Sequence, residues 1–154
     1  MTTALNLTLP IKQDAATLET LKELKQKFAT LIQPKIDAAL RKSEIVHYAR
    51  VLVIDNKYIQ VITEYDGPKE VYAEFFRREL QDVFKAVFSL ADGVPGWDEL
   101  NQPDTFYKVS TKHNVRSLGE STTGDPDEGY LFSGYPDTQV KQILEKFPQQ
   151  APNL

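Results

Sequence analysis

The chain has 154 residues, is 41% hydrophobic and 26% charged, and carries a formal net charge of −4, which is the composition of one ordinary globular domain with room for a two-layer core. Acidic and basic residues alternate without a basic stripe able to neutralise several phosphates, so nucleic acid is not an expected partner. The lack of cysteine removes disulfides, thiolate metal sites and cysteine nucleophiles. Residues 1–18 hold no cationic-then-apolar leader and no apolar stretch nears the ~20 residues of a membrane span, so the expectation is a cytoplasmic protein with no membrane partner.

In chain order, Leu5, Leu7, Leu9 and Ile11 alternate with Asn6 and Thr8, the period of a strand ending near Pro10. Asp14 offers a cap to a helix carrying Leu18, Leu21, Leu24, Phe28, Leu31 and Ile32. Pro34 should end or kink it, with a further turn or two running through Ile36 and Leu40 to Arg41 and Lys42. Residues 45–54 and 58–65 are apolar, β-branched runs joined by Asp55, Asn56 and Lys57, which predicts a β-hairpin. Asp66, Gly67 and Pro68 then start a long amphipathic helix through Val71, Phe75, Leu80, Val83, Phe84, Val87 and Phe88 to about 91–93. Residues 92–105 read as loop, 106–115 fit either a strand or a short helix, and the acidic, turn-rich 119–129 reads as a flexible surface loop. Residues 130–135 read as a short strand, and Asp137 or Thr138 as the cap of a last helix with Val140, Ile143, Leu144 and Phe147.

The order strand, helix, strand, strand, helix, strand is the α+β, ferredoxin-like βαββαβ pattern, with helices on one face of an antiparallel sheet and a C-terminal helix added. Neither a repeat nor a second domain shows in 1–154, so one ferredoxin-like domain is expected. The uncovered sheet face carries many apolar residues and is a candidate for pairing with a second copy as a homodimer.

With a two-residue turn at Asp55 and Asn56, Val46, Tyr48, Arg50, Leu52 and Ile54 share a face with Ile59, Val61, Thr63 and Tyr65, the richer set for packing under the helices. The other face sets His47 opposite Glu64, with Gln60 further along and Asn6 and Thr8 joining from the first strand. A histidine beside a carboxylate is held protonated or in one tautomer, ready for base or ligand work. The same pair is also an ordinary cross-strand contact contributing roughly 0.2–1 kcal/mol. A three-residue turn would separate the two side chains. His47 and Arg50 are three apart and point to opposite faces of a regular strand, so they share a cavity only across a bulge. Elsewhere His113 has no carboxylate near it in sequence, and no ligand spacing for a metal, no phosphate loop, no dinucleotide fingerprint and no nucleophile elbow appears. Trp97 and Tyr107 either wall a pocket or seal the core.

The runs holding His47, Tyr48, Ala49 and Arg50, then Tyr65, Asp66 and Gly67, then Tyr72 and Phe75, with an aromatic segment before a late helix, resemble uncharacterised members of the dimeric α+β barrel superfamily across residues 5–147. More distantly they are similar to one unit of the dye-decolorising peroxidases and to small monooxygenases. The resemblance implies two ferredoxin-like units joined into a barrel around a cavity. The peroxidase motif G-x-x-D-G is incomplete here, because Thr63 stands where its first glycine would be, and the chain is one unit long instead of two. Three functions follow as expectations. One is an oxidoreductase-like enzyme for a small organic molecule, cofactor-free or haem-using. In it His47 is base or axial ligand, Glu64 orients it, Arg50 or Tyr48 holds an anion, and Tyr48, Gln60 and Asn6 contact the ligand. The others are a non-catalytic dimeric module holding a small ligand, and an accessory protein whose sheet face makes the dimer.

Overall fold

A computed structural model describes residues 1–149; the last five residues of the expected single domain, 150–154, lie outside the described residues. Strand β1 (Thr2–Pro10) is followed by α1 (Ala15–Lys27), a π-helical turn (Phe28–Ile32), α2 (Gln33–Ser43), β2 (Val46–Ile54), β3 (Tyr58–Asp66), α3 (Lys69–Glu79), α4 (Gln81–Ser89), α5 (Trp97–Leu100), α6 (Pro103–Lys112) and α7 (Val140–Lys146). The strands form one antiparallel sheet in the order β1-β3-β2, so the fold is α+β. No helix among the described residues is long and apolar enough to cross a membrane.

Leu7 and Leu9 of β1, with Ile59 and Tyr65 of β3, put the apolar phase of both strands into the core, where Phe76, Phe84, Phe88, Leu100 and Phe106 meet them. The Asp14 side chain accepts from the Thr17 N–H and caps α1. Pro34 lies in the first turn of α2, just after the π turn, where the Gln33 N–H reaches back to the Phe28 carbonyl. The widened turn absorbs a proline that has no N–H to donate. The helix expected from Pro68 to about 91–93 is two helices, with the dihedral break at Leu80; carbonyl bonds from Leu80 to Phe76 and from Phe84 to Leu80 carry across it. The segment 106–115 is helix as far as Lys112 and edge chain after it. The cap of α7 is Gln139, in a reciprocal pair with Gln142, and not Asp137 or Thr138.

The expected fourth strand does not form: residues 130–135 join no ladder. The free edge of β1 is taken instead by residues 113–115, with the Thr8 N–H donating to His113 O at 2.9 Å and the Val115 N–H to Asn6 O at 2.9 Å. Residues 130–135 are left to run over the open side of the sheet, where they help to wall a cavity with residues of β2.

The hairpin corrects the expected register. Asp55 and Asn56 both adopt left-handed backbone, and the Lys57 N–H donates to Ile54 O at 2.9 Å, as a tight turn requires. Yet the Lys57 carbonyl goes to the Ile11 N–H at 2.8 Å, and strand pairing begins at Ile54 with Tyr58. This one extra residue sets Tyr48 opposite Glu64, Arg50 opposite Ile62 and Leu52 opposite Gln60. Tyr48, Arg50, Leu52 and Ile54 therefore lie on the open face and not under the helices, while Ala49, Val51 and Val53 pack on the core. A bulge between Val46 and Tyr48 then removes the offset, so that Val46 faces Tyr65, as a two-residue turn would have placed it.

Candidate functional site

The bulge decides the site. His47 is the residue inserted into β2, and its side chain swings toward the end of β3 instead of lying opposite Glu64. Its Nε2 lies 2.9 Å from Asp66 Oδ1 and 3.3 Å from Thr2 Oγ1. The Asp66 carboxylate also accepts from the Thr2 hydroxyl at 3.0 Å and from the Val140 N–H, at the start of α7, at 2.7 Å. Both side chains of the His47–Asp66 pair are 7% exposed. A carboxylate offers no proton, so Nε2 carries one toward Asp66, and in the neutral ring the lone pair is on Nδ1. The carboxylate that orients His47 is thus Asp66, at the strand-to-helix corner, and not Glu64.

His47 borders a cavity of about 660 Å³ between the open sheet face and the stretch 122–138, a size typical of small-molecule sites. Tyr48, Arg50 and Glu64 border it too, opposite Tyr130, Phe132 and Tyr135. The two irregularities of β2 are the reason: the turn offset turns Tyr48 and Arg50 to the open face beside Glu64, and the bulge lets His47 join them. Tyr48 is 72% exposed and Phe132 84%, an unusual state for rings in a folded chain. Tyr130 packs edge-on against Phe132 with ring centres 4.7 Å apart. Arg50 makes no hydrogen bond or ion pair among the described residues; it borders the cavity beside Glu64, on which its charge acts. Burial in the wall raises the Glu64 carboxyl above its ordinary range, against the opposing pull of the charges on Arg50 and His47.

Gln60 and Asn6 are placed elsewhere. The Gln60 amide donates to Thr8 Oγ1 at 3.0 Å within the sheet. The Asn6 amide donates to Val115 O at 3.0 Å and Ser117 Oγ at 2.9 Å, which fastens the chain after α6 to β1. His113 is half-buried, and burial together with Lys112 lowers its pKa. Sequence reasoning missed Asp66 as the histidine's partner, since the bulge that joins them has no local signature. It also missed Tyr130, Phe132 and Tyr135 as cavity walls; their alternation was a signal, but it reads equally as a strand.

The loop 119–129 is tied down at several points. Lys69 Nζ meets Asp125 at 2.7 Å and Glu128 at 2.8 Å, and Arg116 donates to the carbonyls of Ser117, Gly119 and Pro126. Burial pulls the Lys69 ammonium down, but its bonds to Asp125 and Glu128 outweigh that and hold it above the ordinary lysine range. Gly129 passes so close to Ser117 that a Cβ there would sit 1.9 Å from the Ser117 carbonyl oxygen. These contacts hold the segment that walls the cavity.

The residues do not fit a haem. The imidazole nitrogen most open to a bulky macrocycle, Nε2, is spent on Asp66, and Nδ1 is flanked by the histidine's own Cβ. Compared with family models, curated proteins and solved structures, the chain matches none.

Proposed function

We propose that this is a homodimeric protein of the dimeric α+β barrel kind that binds a small organic molecule between its open sheet face and residues 122–138 and acts on it as an oxidoreductase-like enzyme. The observation that carries the reading is the cavity of about 660 Å³ bordered by His47, Tyr48, Arg50 and Glu64. His47, oriented by Asp66, is a base whose Nδ1 takes a proton from an acidic C–H or O–H of the ligand. Arg50, which makes no hydrogen bond or ion pair among the described residues, holds the negative charge that results, and the rings of Tyr48, Tyr130 and Phe132 give the ligand an apolar wall. Two electrons and two protons passing from the substrate to dioxygen would leave a dehydrogenated product and hydrogen peroxide. The half-open apolar face with Tyr48, Ile54 and Tyr58 exposed supports pairing with a second copy.

The test is oxygen uptake and peroxide release on a panel of small phenols and 1,3-diketones. His47→Gln is expected to lose at least about a hundredfold in kcat and Arg50→Met to lose binding, while both remain folded. Wild-type turnover retained in His47→Gln overturns the catalytic reading. Scattering at 17.5 kDa instead of twice that overturns the dimer. One observation favours the non-catalytic alternative: Asp66 also holds Thr2 and the Val140 N–H, so the pair fastens β1 and α7 to the sheet. In that reading ligands bind without turnover and His47→Gln keeps their affinity.

A further inference from the structure

A second void lies across the sheet from the His47 cavity, on the helix-covered side. It measures about 40 Å³ and is walled by Leu5 and Leu7 of β1 and by the rings of Tyr72, Phe76 and Phe106. Ser110 of α6 borders it and is 8% exposed, and its hydroxyl has no hydrogen-bond partner among the described residues. A serine in a helix ordinarily gives its hydroxyl to the carbonyl one turn back, and buried polar groups left unpaired are rare in folded proteins. Two other polar groups at this void are committed. The Tyr72 hydroxyl shares a 2.8 Å hydrogen bond with Thr63 Oγ1, and Asn114 Oδ1 accepts from the Asn6 N–H at 2.8 Å. Burial pushes the Tyr72 phenol up to about 12, so it stays neutral. At the mouth, Lys69 is latched to Asp125 and to the buried Glu128.

A void of this size has room for roughly three waters, but each needs two to four polar partners. The one fully buried side-chain polar atom without a partner among the described residues, Ser110 Oγ, does not supply them for three waters. An occupant with a carbon body and a single oxygen does match: its oxygen pairs with Ser110 and its carbons replace the missing contacts with the rings. We propose that this void is an internal binding site for a neutral short-chain alcohol or ketone of roughly three or four heavy atoms, entered past the Lys69–Asp125–Glu128 latch.

The experiment is a titration of the isotopically labelled full chain with 2-propanol, followed by amide chemical shifts. Saturable shifts are expected at Leu7, Tyr72 and Ser110 and none at Tyr48 or Arg50. Ser110→Ala should bind 2-propanol about tenfold more weakly. Without ligand it should melt at a higher temperature than the wild type, because the orphan hydroxyl is gone. Shifts that rise linearly without saturating, equal binding by Ser110→Ala, or shifts confined to the His47 cavity overturn the site. A crystal soaked in 2-propanol that shows only ordered waters on Ser110 Oγ overturns it as well.

Discussion

The two faces of the sheet are made by the same three nine-residue strands, yet they are finished in different ways. On the helix side Leu7, Leu9, Ile59 and Tyr65 are almost wholly buried, and the face is closed by packing. On the open side Tyr48, Arg50 and Glu64 meet a loop and a cavity, with Ile62 and Gln60 on the same face beside them. Stability is concentrated on the first face and uncommitted polar chemistry on the second. His47 sits where β2 crosses between them, at a bulge that costs the sheet one ladder position and places an imidazole against a buried carboxylate.

The largest expected effect separates the faces directly. Leu9→Ala, at a position with no exposed surface, should cost about 2–5 kcal/mol in urea denaturation. Tyr48→Ala on the open face should stay within about 0.5 kcal/mol while weakening ligand binding. Similar losses from the two would break the contrast.

Asp66→Ala tests the crossing point. It removes the acceptor shared by His47, Thr2 and the Val140 N–H and should cost about 1.5–3 kcal/mol. Amide exchange in α7 should quicken with it, and unchanged exchange there would show that α7 is held by something else.

The smallest effect sharpens the open side. Burial raises the Glu64 carboxyl, so the folded chain keeps that proton to higher pH than the unfolded chain does. Stability therefore declines as pH rises from the unfolded toward the folded value. Glu64→Gln should remove the decline, gaining less than about 1 kcal/mol above that window, since a half-exposed charge is well screened. Below the window the two proteins should melt alike. Thermal melts across the acid range decide it, and a loss of stability in Glu64→Gln at neutral pH would mean that the carboxylate is held by a favourable partner.

Much of this fold can be read from local pattern. Leu5, Leu7 and Leu9 alternate because one side of a strand must be apolar. Asp14 caps because its oxygen reaches an unpaired helical N–H. Asp55 and Asn56 turn because they tolerate left-handed backbone. The site was legible in its residue types and not in its geometry. His47, Tyr48, Arg50 and Glu64 were all singled out, but their grouping depends on two single-residue irregularities, and Asp66 enters only through the second of them.

By itself the sequence determined the three strands that form, the helices other than α5 and α6, the turn and the absence of cysteine chemistry, because periodicity, caps and turn residues act over a few neighbouring positions. Tertiary structure decided the register of β2, the partner of His47 and the fate of residues 130–135. Lys57 turned its carbonyl to Ile11, and residues 113–115 reached the β1 edge, each contact joining segments tens of residues apart. A one-residue slip hardly changes local propensity, yet it exchanges the faces of a whole strand.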